Sequence, residues 1–164
     1  MTTQEKTTSS AGSPRATPKE SLDEALLTEL VGYQLAQATI VTSRVFQTNV
    51  GKPHDLNAVE YTMLALIHAN PGVAPTQLRN ALGISKPYVT TSLEKLSGRN
   101  LISRQVNPSD QRAQQLHTTA DAAQLLDALT QKLVAGEKAA LFTLTPAERT
   151  TLGELLHKLA QARE

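Results

Sequence analysis

Residues 75–98 read PTQLRNALGISKPYVTTSLEKLSG, and the fold turns on how this stretch divides. Pro75 suits the first turn of a helix, where its absent N–H leaves no bond unmade, and the pattern carries that helix from Thr76 to Leu82. Gly83 stops it, because glycine enters the left-handed region without a Cβ penalty. Ser85 then stands at the cap of a second helix, Lys86 to about Gly98, with Pro87 in its first turn and Val89, Leu93 and Leu96 at helical spacing. Tyr88, Thr90, Thr91 and Lys95 lie elsewhere on its circumference. Two helices around a tight glycine turn make a helix-turn-helix.

Upstream, Asn57 and Glu60 form a capping box, with Leu56 placed to staple against Tyr61, so a helix is expected to run to about Ala69 and end at Asn70-Pro71-Gly72. Before it the pattern breaks at Val50-Gly51-Lys52-Pro53. A long helical pattern begins at Ser21, where Leu27, Val31, Leu35 and Ala38 make one apolar row and Leu26, Leu30 and Tyr33 its neighbour. So wide a face predicts burial on two sides, one of them supplied by a second chain. Residues 1–20 hold Thr, Ser, Pro, Gly and charge, and read as a disordered tail.

Downstream, Leu101–Val106 and Ala113–His117 alternate as strands around a polar loop, residues 107–112. Thr118 with Asp121 is the expected cap of a fifth helix bearing Leu125, Leu126, Leu129 and Leu133, and Thr145-Pro146-Ala147-Glu148 opens a last one bearing Leu152, Leu155, Leu156 and Leu159. The fold class is therefore mainly α: a winged helix-turn-helix with a small β-hairpin wing, flanked by N- and C-terminal dimerisation helices. The division expected is a tail at 1–20, an N-terminal helix and linker at 21–55, the winged unit at 56–118 and C-terminal helices at 119–164.

The chain has 164 residues, 16 Lys and Arg against 15 Asp and Glu, and no Cys. Without cysteine there is no disulfide, thiolate nucleophile or Cys-ligated metal. No apolar run approaches the roughly 20 residues of a membrane span, and the start lacks the apolar core of a signal peptide, so a cytoplasmic protein with no membrane partner is expected. His54, His68, His117 and His157 form no metal-ligand spacing, and there is neither a phosphate-binding Gly loop nor a nucleophile elbow. No catalysis, metal or cofactor is expected. The near-neutral total conceals a basic middle: residues 72–118 carry Arg79, Lys86, Lys95, Arg99, Arg104 and Arg112 against Glu94 and Asp110, a balance of +4, while the flanking segments stand at −2 and −1. Those cations coincide with the helix-turn-helix and the hairpin, where a nucleic-acid duplex would lie.

Leu56-Asn57-Ala58-Val59-Glu60-Tyr61, Asn70-Pro71-Gly72, Leu82–Thr90, Leu101-Ile102-Ser103-Arg104 and Asn107–Ala113 together resemble the MarR family of winged-helix transcriptional regulators, over roughly residues 22–162. The block from Gly83 to Arg112 is the most specific part, with recognition helix, strand and an Asp-x-Arg wing in order. The resemblance implies a homodimer on double-stranded DNA with an inverted-repeat operator, each recognition helix in a major groove and each wing in the adjacent minor groove. Ser85, Lys86, Pro87, Tyr88, Thr90, Thr91 and Lys95 would then face bases and phosphates, Thr76 and Gln77 would donate to phosphate, and Arg104 would join the basic surface. Arg112 at the wing tip suits the minor groove, with Asp110 orienting its guanidinium; a brace for the hairpin is the competing role of that pair. Arg79 stands where a small Ala is usual, Thr91 where many members carry Arg, and Asn100 where Gly precedes Leu-Ile. His117 and Asp121 replace the usual Leu and Gly.

Family members often hold an aromatic or anionic small molecule between the dimer helices and the winged unit. Tyr33, Arg44, Tyr61 and His68 could line such a cleft, and the first helix also looks like that of members responding to hydroxycinnamoyl thioesters of coenzyme A. The resulting expectation is a repressor released by an aromatic-acid or acyl-CoA effector. The other class that fits is a winged-helix dimer serving as a ligand-binding or protein-interaction module without specific DNA recognition.

Overall fold

The computed structural model describes residues 22–107 and 110–162, apart from the side chains of 107–113. The expected tail at 1–20 lies outside the described residues. The chain divides into two units, Met1–Gln37 and Ala38–Glu164, the division falling within helix α1 (Val31–Phe46).

In the first unit the helix does not begin at Ser21. Residues 25–29 form turns, and α1 starts only at Val31. The Asp23 carboxylate accepts the Ala25 N–H at 3.0 Å, Leu27 N–H bonds to the Glu24 carbonyl at 2.8 Å, and the Gln34 carboxamide donates to the Thr28 carbonyl at 2.8 Å. Such local bonds give the backbone a substitute for the helical ladder. Leu22 and Leu26 are almost fully exposed.

In the second unit the expected break at Val50–Pro53 is helical instead. A π-helical turn, Gln47–Gly51, follows α1 and leads into the short α2 (Lys52–His54). Pro53 sits in the first turn of α2, where its missing N–H is harmless, and Asp55 closes the elbow at φ 47°. Val50 and Gly51 are buried, and α6 (Ala120–Ala140) crosses close by: a Cβ on Gly136 would come within 2.8 Å of Val45 Cγ1 and of Asn49 Nδ2.

α3 (Ala58–Ala69) is the hub. Asn57 Oδ1 accepts the Glu60 N–H at 2.9 Å, and Glu60 Oε2 accepts the Asn57 N–H at 2.9 Å, completing the expected box. Its Met63, Leu64 and Ile67 are fully buried in one core with Val50, Leu78, Leu96, Leu116 and Leu129. α4 (Pro75–Leu82) ends at Gly83 with φ 63°, and α5 (Lys86–Gly98) follows, burying Val89, Ser92, Leu93 and Leu96. Asn100 takes φ 55°, the left-handed turn that its position before Leu101 requires.

The wing is longer than the sequence suggests. β1 (Ile102–Asn107) pairs antiparallel with β2 (Asp110–Thr118) from Ile102↔Thr118 to Val106↔Gln114, and after an irregularity Asn107 pairs with Asp110. Gln111 and Arg112 thus belong to β2 and not to a loop. A third segment joins the ladder: Val73, before α4, bridges Leu116, with Leu116 N–H donating to the Val73 carbonyl at 3.0 Å and Gly72 N–H to the Leu116 carbonyl at 2.8 Å.

The cap of α6 is Thr119, not Thr118. Thr119 Oγ1 accepts the Ala122 N–H at 3.2 Å and donates to the Asn100 carbonyl at 3.0 Å. Thr118 is still in the ladder opposite Ile102, so its backbone is not available to begin a helix. α7 (Pro146–Ala160) opens on the expected box: Glu148 Oε2 accepts both the N–H and the hydroxyl of Thr145 at 2.7 Å, holding its carboxyl below the usual carboxylate range. No residue of α7 is buried.

Candidate nucleic-acid interface

α5 presents two different faces. Val89, Ser92, Leu93 and Leu96 face the core, while Ser85, Lys86, Pro87, Tyr88, Thr90 and Thr91 are exposed. Ser85 occupies the N-cap position with extended backbone, yet its hydroxyl makes no cap bond. The Thr90 hydroxyl donates to the Lys86 carbonyl at 3.1 Å, leaving its lone pairs to accept. On α4, Thr76 and Gln77 are exposed, but Gln77 Oε1 already accepts the Ala74 N–H at 2.9 Å, so only its amide N–H groups are left to donate outward. Arg104 is exposed on β1. Asp110 and Arg112 are placed on β2 by their backbone, and their side chains lie outside the described residues.

The structure separates the cations of the basic middle into two groups. Lys95 Nζ lies 3.2 Å from Asp55 Oδ2 and 3.3 Å from Glu60 Oε2, which raises its pKa, the hydrogen bond to Asp55 contributing most. Its ammonium is engaged with two carboxylates of the fold. Arg99 is engaged likewise, donating to the carbonyls of Asp55 at 2.8 Å and His54 at 2.7 Å. These are the carbonyls that the end of α2 would otherwise leave unpaired. Arg79 turns outward and bonds Asn80 Oδ1 at 3.1 Å, so its bulk does not intrude between α4 and α5. Lys86 and Arg104 carry no ion pair among the described residues.

The four residues expected around a small molecule are carried by two helices, Tyr33 and Arg44 by α1 and Tyr61 and His68 by α3. Tyr61 is edge-on to Phe46, with ring centroids 5.8 Å apart, and its hydroxyl is 2.8 Å from Thr130 Oγ1 on α6. His68, two turns along α3, has Nδ1 3.3 Å from Thr118 Oγ1 at the base of the wing. Arg44 is exposed on α1. Tyr33 belongs to the first unit, where partial burial and then a hydrogen bond to Glu24 raise its phenol pKa. A cavity of about 230 Å³ is lined by Thr42, Ser43, Phe46, Gln47, Ala58 and Glu137, beside the π-helical turn. Its charged lining group is a carboxylate. At the base of the wing, His117 Nε2 is buried and has no hydrogen-bond partner among the described residues.

Asp55 and Glu60 in its second role are the neighbours that sequence reasoning did not single out, and Arg99 was read only as one of the basic middle's cations. Glu60 was legible as half of a capping box, but its pairing with Lys95 bridges elements far apart in the chain. Among the described residues no cluster of His, Cys, Asp and Glu could hold a metal ion, and no helix is long and apolar enough to cross a membrane.

The MarR family model matches residues 54–113. A Thauera aromatica protein named as a transcriptional regulatory protein for the hcr operon is 28% identical over 129 residues, covering 79% of this chain and 78% of its own. Among solved structures, the transcriptional repressor CouR bound to a 23-mer DNA duplex is 32% identical, with 85% of this chain and 99% of that one covered and a TM-score of 0.77. Bordetella bronchiseptica BpsR, whose DNA binding is regulated by 6-hydroxynicotinic acid, shares the fold at 24% identity, covering 83% and 96% with a TM-score of 0.73.

Proposed function

Because this chain belongs to the MarR family of winged helix-turn-helix transcriptional regulators, we propose that it is a homodimeric repressor that reads an inverted-repeat operator and leaves it when a small molecule binds. The observation that carries the reading is the split character of α5: a buried apolar row on one side, and on the other an exposed cluster of hydroxyls, the Tyr88 phenol and the Lys86 ammonium, which has no ion pair among the described residues. That combination suits base edges and phosphates in a major groove. Ser85, Lys86, Tyr88, Thr90 and Thr91 are the reading set, with Pro87 starting the helix. Thr76 and Gln77 meet the backbone, and Arg104 with Arg112 and Asp110 form the wing contact. CouR, the 32% identical relative, is a repressor seen on a DNA duplex, which supports this assignment.

The effector is an aromatic acid or its acyl-CoA thioester. Support comes from the likeness to BpsR, which responds to an aromatic acid, and from the exposed Arg44 one residue from Ser43 of the cavity lining. Tyr33, Tyr61 and His68 complete that proposed set. Selection of bound duplexes from a random-sequence library tests the first half of the reading. An inverted repeat enriched by the full-length protein supports it; weak, sequence-blind binding favours a ligand or protein-interaction module. A thermal-shift screen of aromatic acids and their thioesters tests the second half, since a ligand that binds the native state stabilises it by mass action.

A further inference from the structure

We propose that Lys95 and Arg99 are positioning residues for DNA reading, a clasp that fixes the recognition helix α5 to the elbow at Asp55; the proposal rests on the DNA-binding reading above. Three elements meet there. Lys95, in the last turn of α5, bridges Asp55 and Glu60 at 3.2 and 3.3 Å, and Arg99, at the end of the same helix, donates to the His54 and Asp55 carbonyls. Glu60 Oε2 also accepts the Asn57 N–H, so one oxygen ties the clasp to the first turn of α3. The Glu60 side chain is only 6% exposed, while that of Asp55 is 83% exposed. One half of the clasp is thus sealed and the other is wet.

The geometry explains why such a clasp matters at the other end of the helix. Val89, Leu93 and Leu96 hold α5 by apolar packing, which is non-directional and sets depth better than rotation. The reading residues cluster in the first turns, from Ser85 to Thr91, whereas the clasp lies in the last turn and the C-cap. α5 is about 20 Å long at 1.5 Å per residue, so a tilt of about 10° about its C-terminal end moves its N-terminus by about 3 Å. That equals a hydrogen-bond length, and base-edge contacts do not survive it. Directional, charge-assisted bonds at the far end are what resist the tilt.

The test compares full-length wild type with Lys95→Gln, Lys95→Arg and Asp55→Asn on two probes across a salt series: the inverted repeat selected from the random library and a scrambled duplex of equal length. Asn accepts the left-handed backbone at position 55, so Asp55→Asn removes charge without reshaping the elbow. The clasp predicts that Lys95→Gln and Asp55→Asn each lower the ratio of operator to scrambled affinity by about tenfold, with salt slope and scrambled affinity unchanged, and that Lys95→Arg keeps the ratio. A direct phosphate contact gives a different result. Lys95→Gln would then weaken both duplexes alike and flatten the slope by about one, while Asp55→Asn, by releasing the ammonium, would tighten both. Either pattern overturns the proposal, as does a wild-type ratio in both variants, which would make the cluster a brace for stability alone. A wild-type protein that enriches no sequence defeats the DNA-binding reading itself, and this proposal with it, before any variant is compared.

Discussion

At the scale of single residues, the exposed side of α5 holds two kinds of group that should fail differently. Lys86 carries an ammonium with no ion pair among the described residues, at the helix start, and Tyr88 exposes a phenol one turn from the core row. Lys86→Ala should weaken binding to every duplex and reduce the salt slope by about one, because a phosphate contact carries no sequence information. Tyr88→Ala should leave the slope alone and relax preference at particular base pairs by about 1–3 kcal/mol. Affinity across a salt series and a panel of single base-pair variants distinguishes the two; a uniform loss for Tyr88→Ala would remove it from the reading set. Charge counting alone does not show which cations are engaged within the fold. Of six cations in the basic middle, Lys95 and Arg99 are engaged inside the fold.

At the scale of elements, the crossing of α6 over the π-helical turn depends on a missing methyl. Gly136 faces the buried Val45 and Asn49, whose Nδ2 is itself bonded to the Val45 carbonyl at 2.8 Å, so neither neighbour yields freely. Gly136→Ala should therefore destabilise the protein by about 1–3 kcal/mol despite the better helix propensity of Ala. Denaturant unfolding measures it, and an unchanged or raised midpoint would show that the crossing has room. The start of α7 responds to pH. The folded Glu148 carboxyl titrates below its unfolded value, so the capping contribution is complete above the unfolded pKa of about 4.3 and is lost as pH falls through the folded one. Protection of the amides in the first turn of α7, taken relative to their intrinsic exchange rate at the same pH, should fall on acidification below the unfolded pKa of about 4.3, and Glu148→Gln should abolish that pH step. Identical profiles for wild type and variant would show that another group governs the terminus.

At the scale of the molecule, each of the two units leaves apolar side chains in water. Leu22, Leu26 and Leu30 are exposed in the first; Phe142, Leu155 and Leu159 in the second, the last two at 59% and 52%. A helix with no buried residue, such as α7, gains little from the chain it belongs to and needs a surface from elsewhere. Removing residues 146–164 should accordingly give monomers or aggregate without DNA affinity, while removing residues 1–18 should leave the dimer intact. Sedimentation equilibrium measures both, and a folded, DNA-competent monomer after the first truncation would refute dimerisation through the terminal helices.

What the sequence by itself determined is whatever depends on neighbours a few residues apart. The boxes at Asn57–Glu60 and Thr145–Glu148, the left-handed Gly83 and Asn100, the apolar row of α5 and the order of elements from α3 onward were legible, because a cap or a turn is closed by bonds spanning three or four residues, whereas the π-helical turn and α2 were not. Tertiary structure decided the rest. Thr118 and Thr119 are equivalent candidates for capping until pairing with Ile102 holds Thr118 in the ladder. The wing extends to Asp110 because β1 offers it partners, and Val73 joins because Leu116 has backbone groups on its other side. Lys95 reads as a free surface cation until α5 packs against the elbow, where Asp55 and Glu60 stand waiting some forty residues back in the chain. Hydrogen bonds need atoms within about 3 Å and exposed charges are screened beyond about 10 Å, so which charges hold the fold is a matter of distance in space, and distance along the chain does not carry it.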